Sequence, residues 1–173
     1  MTPALSRTLR YGIGGFVAAL AGIVALEGLA AQGFAGHDSN APVNYSADRI
    51  ELQDKASRVV LSGNVQITQG DLTLTAPRTT VSYTNEGSLK IQRLDAVGGV
   101  SVRRGGESAR GDVAVYDFNK RIITMVGNVA LDRGGGDTLR SGRMVIDLAS
   151  HNTVTDAGPG GRVSGTFSVS GKK

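Results

Sequence analysis

The chain of 173 residues carries a formal net charge of +4 and contains 25 glycines, no cysteine and no tryptophan. The lack of cysteine excludes disulfide bonds and thiolate chemistry, and the small positive excess lacks the dense basic run that indicates nucleic-acid binding. Frequent valine, isoleucine, leucine, threonine and serine, interrupted by glycine, favour short strands over a helical bundle.

The N-terminal segment has the pattern of a bacterial-type export signal. Arg7 and Arg10 precede an apolar run at Tyr11–Leu26, and small-x-small triplets follow it. The run is shorter than the roughly 20 apolar residues that a membrane span needs. We therefore predict a cleaved signal peptide over 1–35, a flexible lead-in over 36–44 and a periplasmic location. An uncleaved membrane anchor is the alternative.

From Val43 onward, apolar and polar residues alternate in short runs that are separated by turn residues. Successive side chains of a strand point to opposite faces, so this alternation indicates strands with one apolar face. No helical period interrupts the pattern. We predict one all-β, antiparallel domain over 45–157. A glycine-rich end follows over 158–173, with room for one further edge strand at Val163–Val169.

A strand-and-turn phrase occurs twice, 64 residues apart, at Leu61–Thr68 and at Met125–Asp132. Each copy contains Gly-Asn-Val, and an aspartate, Asp48 or Asp112, stands 15 positions before its glycine. A weaker copy lies at Ala96–Val100. Self-similar strand units stack their apolar faces, and the glycine marks a bend or bulge. The repeat therefore predicts a rolled sheet.

These residues resemble the OstA-like family over Pro42–Asp156. The chain departs from the family pattern at Glu86–Arg93 and Arg104–Ala109, which we interpret as loops. The stretches that carry the likeness are Ser62-Gly63-Asn64-Val65, Thr68-Gln69-Gly70, Leu72-Thr73-Leu74-Thr75-Ala76 and Val126-Gly127-Asn128-Val129.

The resemblance implies an incompletely closed β-jellyroll whose interior holds the lipid A acyl chains of lipopolysaccharide. It also implies end-to-end stacking, with an LptC-like inner-membrane partner, an LptD-like outer-membrane translocon and head-to-tail self-association. Strand addition needs open sheet edges, which we expect at Val43–Leu52 and at Met144–Leu148 or Val163–Val169. No cofactor or metal is expected.

Inward-facing apolar side chains are the candidate lipid-binding residues, because each methylene that leaves water gains about 0.8 kcal/mol. The alternative is that they only pack against one another, as in any β-sandwich. The candidates are Leu61, Val65, Ile67, Leu72, Leu74, Val81, Val113, Val115, Ile123, Met125, Val129 and Leu131.

Three other functions compete with a lipid carrier. One is a membrane-anchored, LptC-like component of the same pathway, and another is a lipid-free β-solenoid or adhesin. The third, a polysaccharide-active enzyme, ranks last because no carboxylate pair stands in a recognisable acid/base setting. His37 and His151 neighbour no nucleophile motif or metal-like cluster, so we expect no enzyme.

Overall fold

The computed structural model describes residues 37–159 and 161–169. The strands within these residues form one antiparallel sheet. The predicted signal peptide at 1–35 lies outside the described residues, as do residues 160 and 170–173 of the glycine-rich end. A short helical turn at Asp54–Ala56 separates the second and third strands. The strands are β1 Val43–Ser46, β2 Arg49–Gln53, β3 Arg58–Gln69, β4 Leu72–Asn85, β5 Leu89–Arg104, β6 Glu107–Asp117, β7 Ile122–Asp132, β8 Thr138–Asp147, β9 Asn152–Asp156 and β10 Ser164–Thr166.

Each long strand from β3 to β8 pairs with the next one along the chain. At one edge, β1 and β2 both pair with the side of β3 that faces away from β4. There β1 pairs with Gln66–Gln69, and β2 pairs with Arg58–Ser62. At the other edge, β9 pairs with Arg143–Asp147 of β8, and β10 pairs with Thr138–Arg140. The two edges do not pair with each other among the described residues. The predicted all-β, antiparallel and open architecture is confirmed.

A line of bulges crosses the sheet, because the register shifts within every strand pair from β3–β4 to β7–β8. In β3 the shift lies at Gly63-Asn64, with φ angles of 76° and 44°, and in β7 at Gly127-Asn128, with 78° and 49°. Gly98-Gly99 takes the same place in β5. Glycine and asparagine enter this left-handed region at low cost. The bend predicted at the repeated phrase is confirmed.

The bends fold the sheet so that one face becomes a single hydrophobic core, to which every strand from β3 to β8 contributes. Its largest fully buried apolar side chains are Leu61, Leu94, Ile123, Met125, Met144, Ile146, Val65, Val102 and Val129.

The expected inward orientation of Val113 and Val115 is wrong. Ala114 and Tyr116 fill the core instead, with 0% and 3% of their surface exposed, whereas the two valines are half-buried on the outer face. The cause is the pairing of β6 with its two neighbours at the bend. Between matched pairs, β5 has two residues where β6 has one, and β7 has three where β6 has two. Because β6 crosses the bend with one residue fewer than the bulged strands beside it, its alternation changes phase at Asp112.

The segment Glu86–Arg93, expected to be a loop, is mostly strand, because β5 begins at Leu89. Tyr83 of β4 pairs with Ile91 of β5. The pairing of β3 with β4 ends at Ser82, and the pairing of β6 with β5 begins at Arg93, so neither neighbour reaches this part of the hairpin. The β4–β5 hairpin therefore projects past its neighbours. The second expected loop, Arg104–Ala109, shrinks to a tight turn, since β6 begins at Glu107.

The expected open edge at Met144–Leu148 is also wrong. The strand residues of this segment pair with β7 on one side and with β9 on the other. The chain turns back directly after β8, so β9 covers that side. The edge is formed by β9 and by β10, which lies within the alternative expected at Val163–Val169.

Candidate functional site

An apolar cavity of about 300 Å³ opens at one end of the rolled sheet. Its walls come from β1, β3, β4 and β5, together with Phe118, which follows β6. This size is at the lower end of ligand pockets, which span about 300–1,000 Å³. The lining residues are Val43, Tyr45, Val59, Leu61, Ile67, Val81, Tyr83, Leu89, Ile91, Leu94 and Phe118.

The projecting β4–β5 hairpin supplies the mouth of the cavity. Tyr83 and Ile91 pair across the hairpin, and Leu89, near its tip, leaves 64% of its surface exposed. On the opposite side, β1 contributes Val43 and Tyr45 because it pairs with the end of β3. A large apolar surface is thus held open to solvent, which marks a site for an apolar ligand.

A hydrogen-bonded polar pair lies behind the cavity lining, next to Phe118. The ring of Phe118 stacks on Tyr116, with ring centroids 4.0 Å apart. Tyr116 Oη donates a hydrogen bond to Gln69 Oε1 at 3.1 Å. Since Gln69 lies on β3 and Tyr116 on β6, this bond joins two parts of the sheet across the interior.

The predicted lead-in is fastened to the roll by the same glutamine. His37 Nε2 lies 3.1 Å from Gln69 Oε1, and because that oxygen only accepts, Nε2 is the donor of this hydrogen bond. Gln69 Nε2 donates to the backbone oxygens of Ser39 and Ala41 at 2.9 and 3.1 Å. The imidazole of His37 is fully buried. Sequence reasoning set His37 aside because it stands in the predicted lead-in and neighbours no nucleophile motif or metal-like cluster.

Charged groups flank this cluster on its solvent side. Arg104 Nε donates to Asp71 Oδ2 at 2.7 Å, and His37 Nδ1 lies 3.4 Å from Asp71 Oδ1. Burial opposes ionisation of Asp71, but the hydrogen bonds from Arg104 and His37 outweigh it and hold the pKa of its carboxyl below the usual value. Burial raises the pKa of the Tyr116 phenol, so its hydroxyl remains a donor at neutral pH.

The candidate lipid-binding residues divide into three groups. Leu61, Ile67 and Val81 line the cavity, whereas Val113 and Val115 lie on the outer face. The remaining seven are buried in the adjoining core, where they pack against other side chains: Val65, Leu72, Leu74, Ile123, Met125, Val129 and Leu131.

Several lining residues were missed by sequence reasoning. Leu89 and Ile91 alternate with polar residues, and this signal was available in the segment interpreted as a loop. Phe118 follows a strand whose alternation had been assigned to the wrong face. The alternation alone therefore found the core more readily than the cavity.

Within residues 37–159 and 161–169, no three histidine, cysteine, aspartate or glutamate side chains come together as metal ligands. Among the described residues, no helix has both the length and the apolar character that crossing a membrane requires.

Known proteins share this fold and sequence pattern. Residues 45–152 match the family model described as LptA/(LptD N-terminal domain) LPS transport protein. An uncharacterized protein of Rhizobium meliloti (strain 1021) is 25% identical over 128 residues, which cover 70% of this chain and 68% of that protein.

A solved structure shares the architecture. It is LptH of Pseudomonas aeruginosa, described as the LptA homologous periplasmic component of the conserved lipopolysaccharide transport device. The TM-score is 0.67 at 19% identity, and the match covers 77% of this chain and 99% of that one. The incompletely closed jellyroll expected from the sequence is confirmed.

Proposed function

This chain belongs to the LptA/LptD N-terminal-domain family of lipopolysaccharide transport proteins, and we propose that it is a periplasmic, non-enzymatic carrier that shields lipopolysaccharide acyl chains. The observation that carries this proposal is the cavity, whose walls are aliphatic and aromatic side chains and whose mouth is open to solvent. An acyl chain in this cavity leaves water at a gain of about 0.8 kcal/mol per methylene.

The cavity of about 300 Å³ accepts part of a lipid and not a whole molecule with several chains. In our proposal, one acyl chain enters first, past Leu89 and between β1 and the β4–β5 hairpin. Because the sheet is open at both edges, its two halves can separate without breaking a closed ring of strand pairs. The seven core candidates would meet further chains only in such an opened state, in which the bond between Tyr116 and Gln69 is also broken.

Both sheet edges suit strand addition, which supports a role in a bridge between membranes. At one edge, Tyr45, Ile50 and Leu52 are exposed on β1 and β2, and at the other, Val154 and Phe167 are exposed on and beside β9 and β10. Joining the first edge of one roll to the last edge of another is a non-closing contact that builds a chain of rolls. We propose that LptC-like and LptD-like partners, and further copies of this chain, dock at these edges.

Leu89→Glu tests the cavity directly. Burying a leucine side chain is worth about 1.5–3 kcal/mol, and a buried carboxylate adds a penalty. We therefore expect lipopolysaccharide to bind at least about tenfold more weakly. Val154→Glu is the matched control, since Val154 is also exposed but lies on β9, away from the cavity. Binding is measured by displacement of a fluorescent fatty acid, and thermal melting confirms that each variant folds.

The proposal fails if the wild-type protein binds no lipopolysaccharide, or if both glutamate variants bind as the wild type does. A photo-crosslinker at Leu61, inside the cavity, gives an independent readout in cells. We expect a lipopolysaccharide adduct there and none from the same probe at Val115 on the outer face.

We further propose that residues 1–35 are removed on export, which makes the carrier a soluble periplasmic protein. N-terminal sequencing of the exported protein tests this step. Retention of Tyr11–Leu26 would instead make it a membrane-anchored, LptC-like component.

A further inference from the structure

A fully paired polar cluster lies among the buried side chains of the interior. Gln69 and Tyr116 each expose 3% of their surface, and His37 exposes 8%. The Gln69 amide uses both its groups, since Oε1 accepts from Tyr116 and His37 while Nε2 donates to two backbone oxygens. Buried polar groups with this many partners hold a defined geometry.

The Gln69–Tyr116 pair adjoins the cavity lining, although neither residue lines the cavity itself. Ile67, a wall residue, precedes Gln69 by two positions and shares its inward face. Leu94, another wall residue, is the register partner of Tyr116 on the neighbouring strand. Phe118 lines the cavity and stacks on the Tyr116 ring. These three neighbours place the pair immediately behind the cavity lining.

The free energies favour an acyl chain that stops in front of the Gln69–Tyr116 pair over one that passes between these two side chains. Each methylene that enters raises the affinity about fourfold, whereas each buried polar group left without its partner lowers it about fivefold or more. An acyl chain that pushed between Gln69 and Tyr116 would break their bond and disturb those to His37 and the lead-in. One or two further methylenes do not offset that loss.

We propose that the hydrogen-bonded Gln69–Tyr116 pair sets the length of acyl chain that this cavity accepts. This inference rests on the proposed lipid-carrying function. Tyr116 stands behind the lining residues Leu94 and Phe118 and supports the wall that the chain end meets, and Gln69 holds Tyr116 in place. Chains that end before the wall bind with all their methylenes, and the excess of a longer chain stays in water.

The test measures affinity for a homologous series of straight-chain fatty acids. With the wild type, affinity should rise about fourfold per added methylene and then reach a plateau at the chain that meets Tyr116. In Tyr116→Ala the wall is removed, so the plateau should move to longer chains. In Tyr116→Phe the ring remains but its bond to Gln69 is lost, so the plateau should move in the same direction by less.

Tyr83→Phe is the matched control, because Tyr83 lines the cavity at its mouth, away from Tyr116, and its hydroxyl faces Asp54. Its plateau should equal that of the wild type. A plateau that is unchanged in both Tyr116 variants would overturn the stop. A plateau that moves only in Tyr116→Ala would overturn the role of Gln69. If the wild type binds no fatty acid of any length, the cavity proposal itself fails.

Discussion

Asp112 Oδ2 accepts a hydrogen bond from Asn128 Nδ2 at 2.8 Å, and Asp48 Oδ2 accepts one from Asn64 Nδ2 at the same distance. In both copies the carboxylate also lies over the glycine that precedes the asparagine, so closely that a Cβ there would collide with it. The repeated sequence therefore encodes a clip in which an aspartate holds the Gly-Asn bulge of the adjacent strand. The two clips fix the bends that turn the sheet into a roll.

Gly127→Ala should lower the free energy of unfolding by about 1–3 kcal/mol or more. A φ of 78° is strained for alanine, and the added Cβ collides with the Asp112 carboxylate. Gly106→Ala is the matched control, since its φ is not positive and a Cβ there meets nothing within 4 Å. Urea denaturation of both variants checks the difference, and equal stabilities would contradict the clip.

The Asp112–Asn128 bond can be measured by a double-mutant cycle. Asp112→Ala removes the acceptor, and Asn128→Gly removes the donor while keeping a residue that tolerates a φ of 49°. We expect a coupling free energy of about 0.5–1.5 kcal/mol. Additive effects of the two substitutions would show that the carboxylate does not hold the bulge.

The reversed face of β6 gives a contrast between neighbouring residues. Val115→Lys should fold with nearly wild-type stability, because the half-buried outer face leaves room for the ammonium group to reach water. Ala114→Lys should unfold the domain, since Ala114 has no exposed surface and its pairs across the sheet, Ala96 and Met125, are also buried. Far-ultraviolet circular dichroism distinguishes them, and the opposite result would restore the orientation expected from simple alternation.

Acid should weaken the attachment of the lead-in through Asp71. Its pKa is lower in the folded protein than in the unfolded chain, so its contribution is complete above the unfolded value of about 3.9 and is lost as the pH falls through the folded value. The carboxylate is half exposed, which limits that contribution to about 1 kcal/mol or less.

Asp71→Asn removes this titration. At neutral pH the variant should be slightly less stable than the wild type, and the gap should close as the pH falls below about 4. Thermal melts of both proteins across this range provide the measurement. A gap that stays constant down to the lowest pH would assign the difference to something other than ionisation of Asp71.

The bends were predictable because their chemistry is local. Gly63 and Gly127 stand in a repeated phrase, and glycine is the residue that a left-handed bulge requires. The inward faces of β3 and β7 followed from alternation on each side of that glycine. No such phrase stands in β6, because the extra residues of the bend lie on β5 and β7, so Val113 and Val115 were assigned to the wrong face.

The cavity was less predictable because it depends on distances between strands. Leu89 and Phe118 line the same cavity because the β4–β5 hairpin projects past its neighbours. No local sequence pattern encodes that projection. The burial of His37 depends on Gln69, 32 residues away. A contact between single polar residues so far apart leaves no periodicity in the sequence.

The order of strands from β3 to β8 follows the order of the chain, and this has a kinetic consequence. Each new strand pairs with the strand that immediately precedes it in the chain. Every pairing step therefore closes only a short loop and costs little chain entropy. The sheet can grow by zipping from its first hairpin, without waiting for the distant end. The bond between Tyr116 and Gln69 forms only once the sheet has grown from β3 to β6 and has curled back on itself.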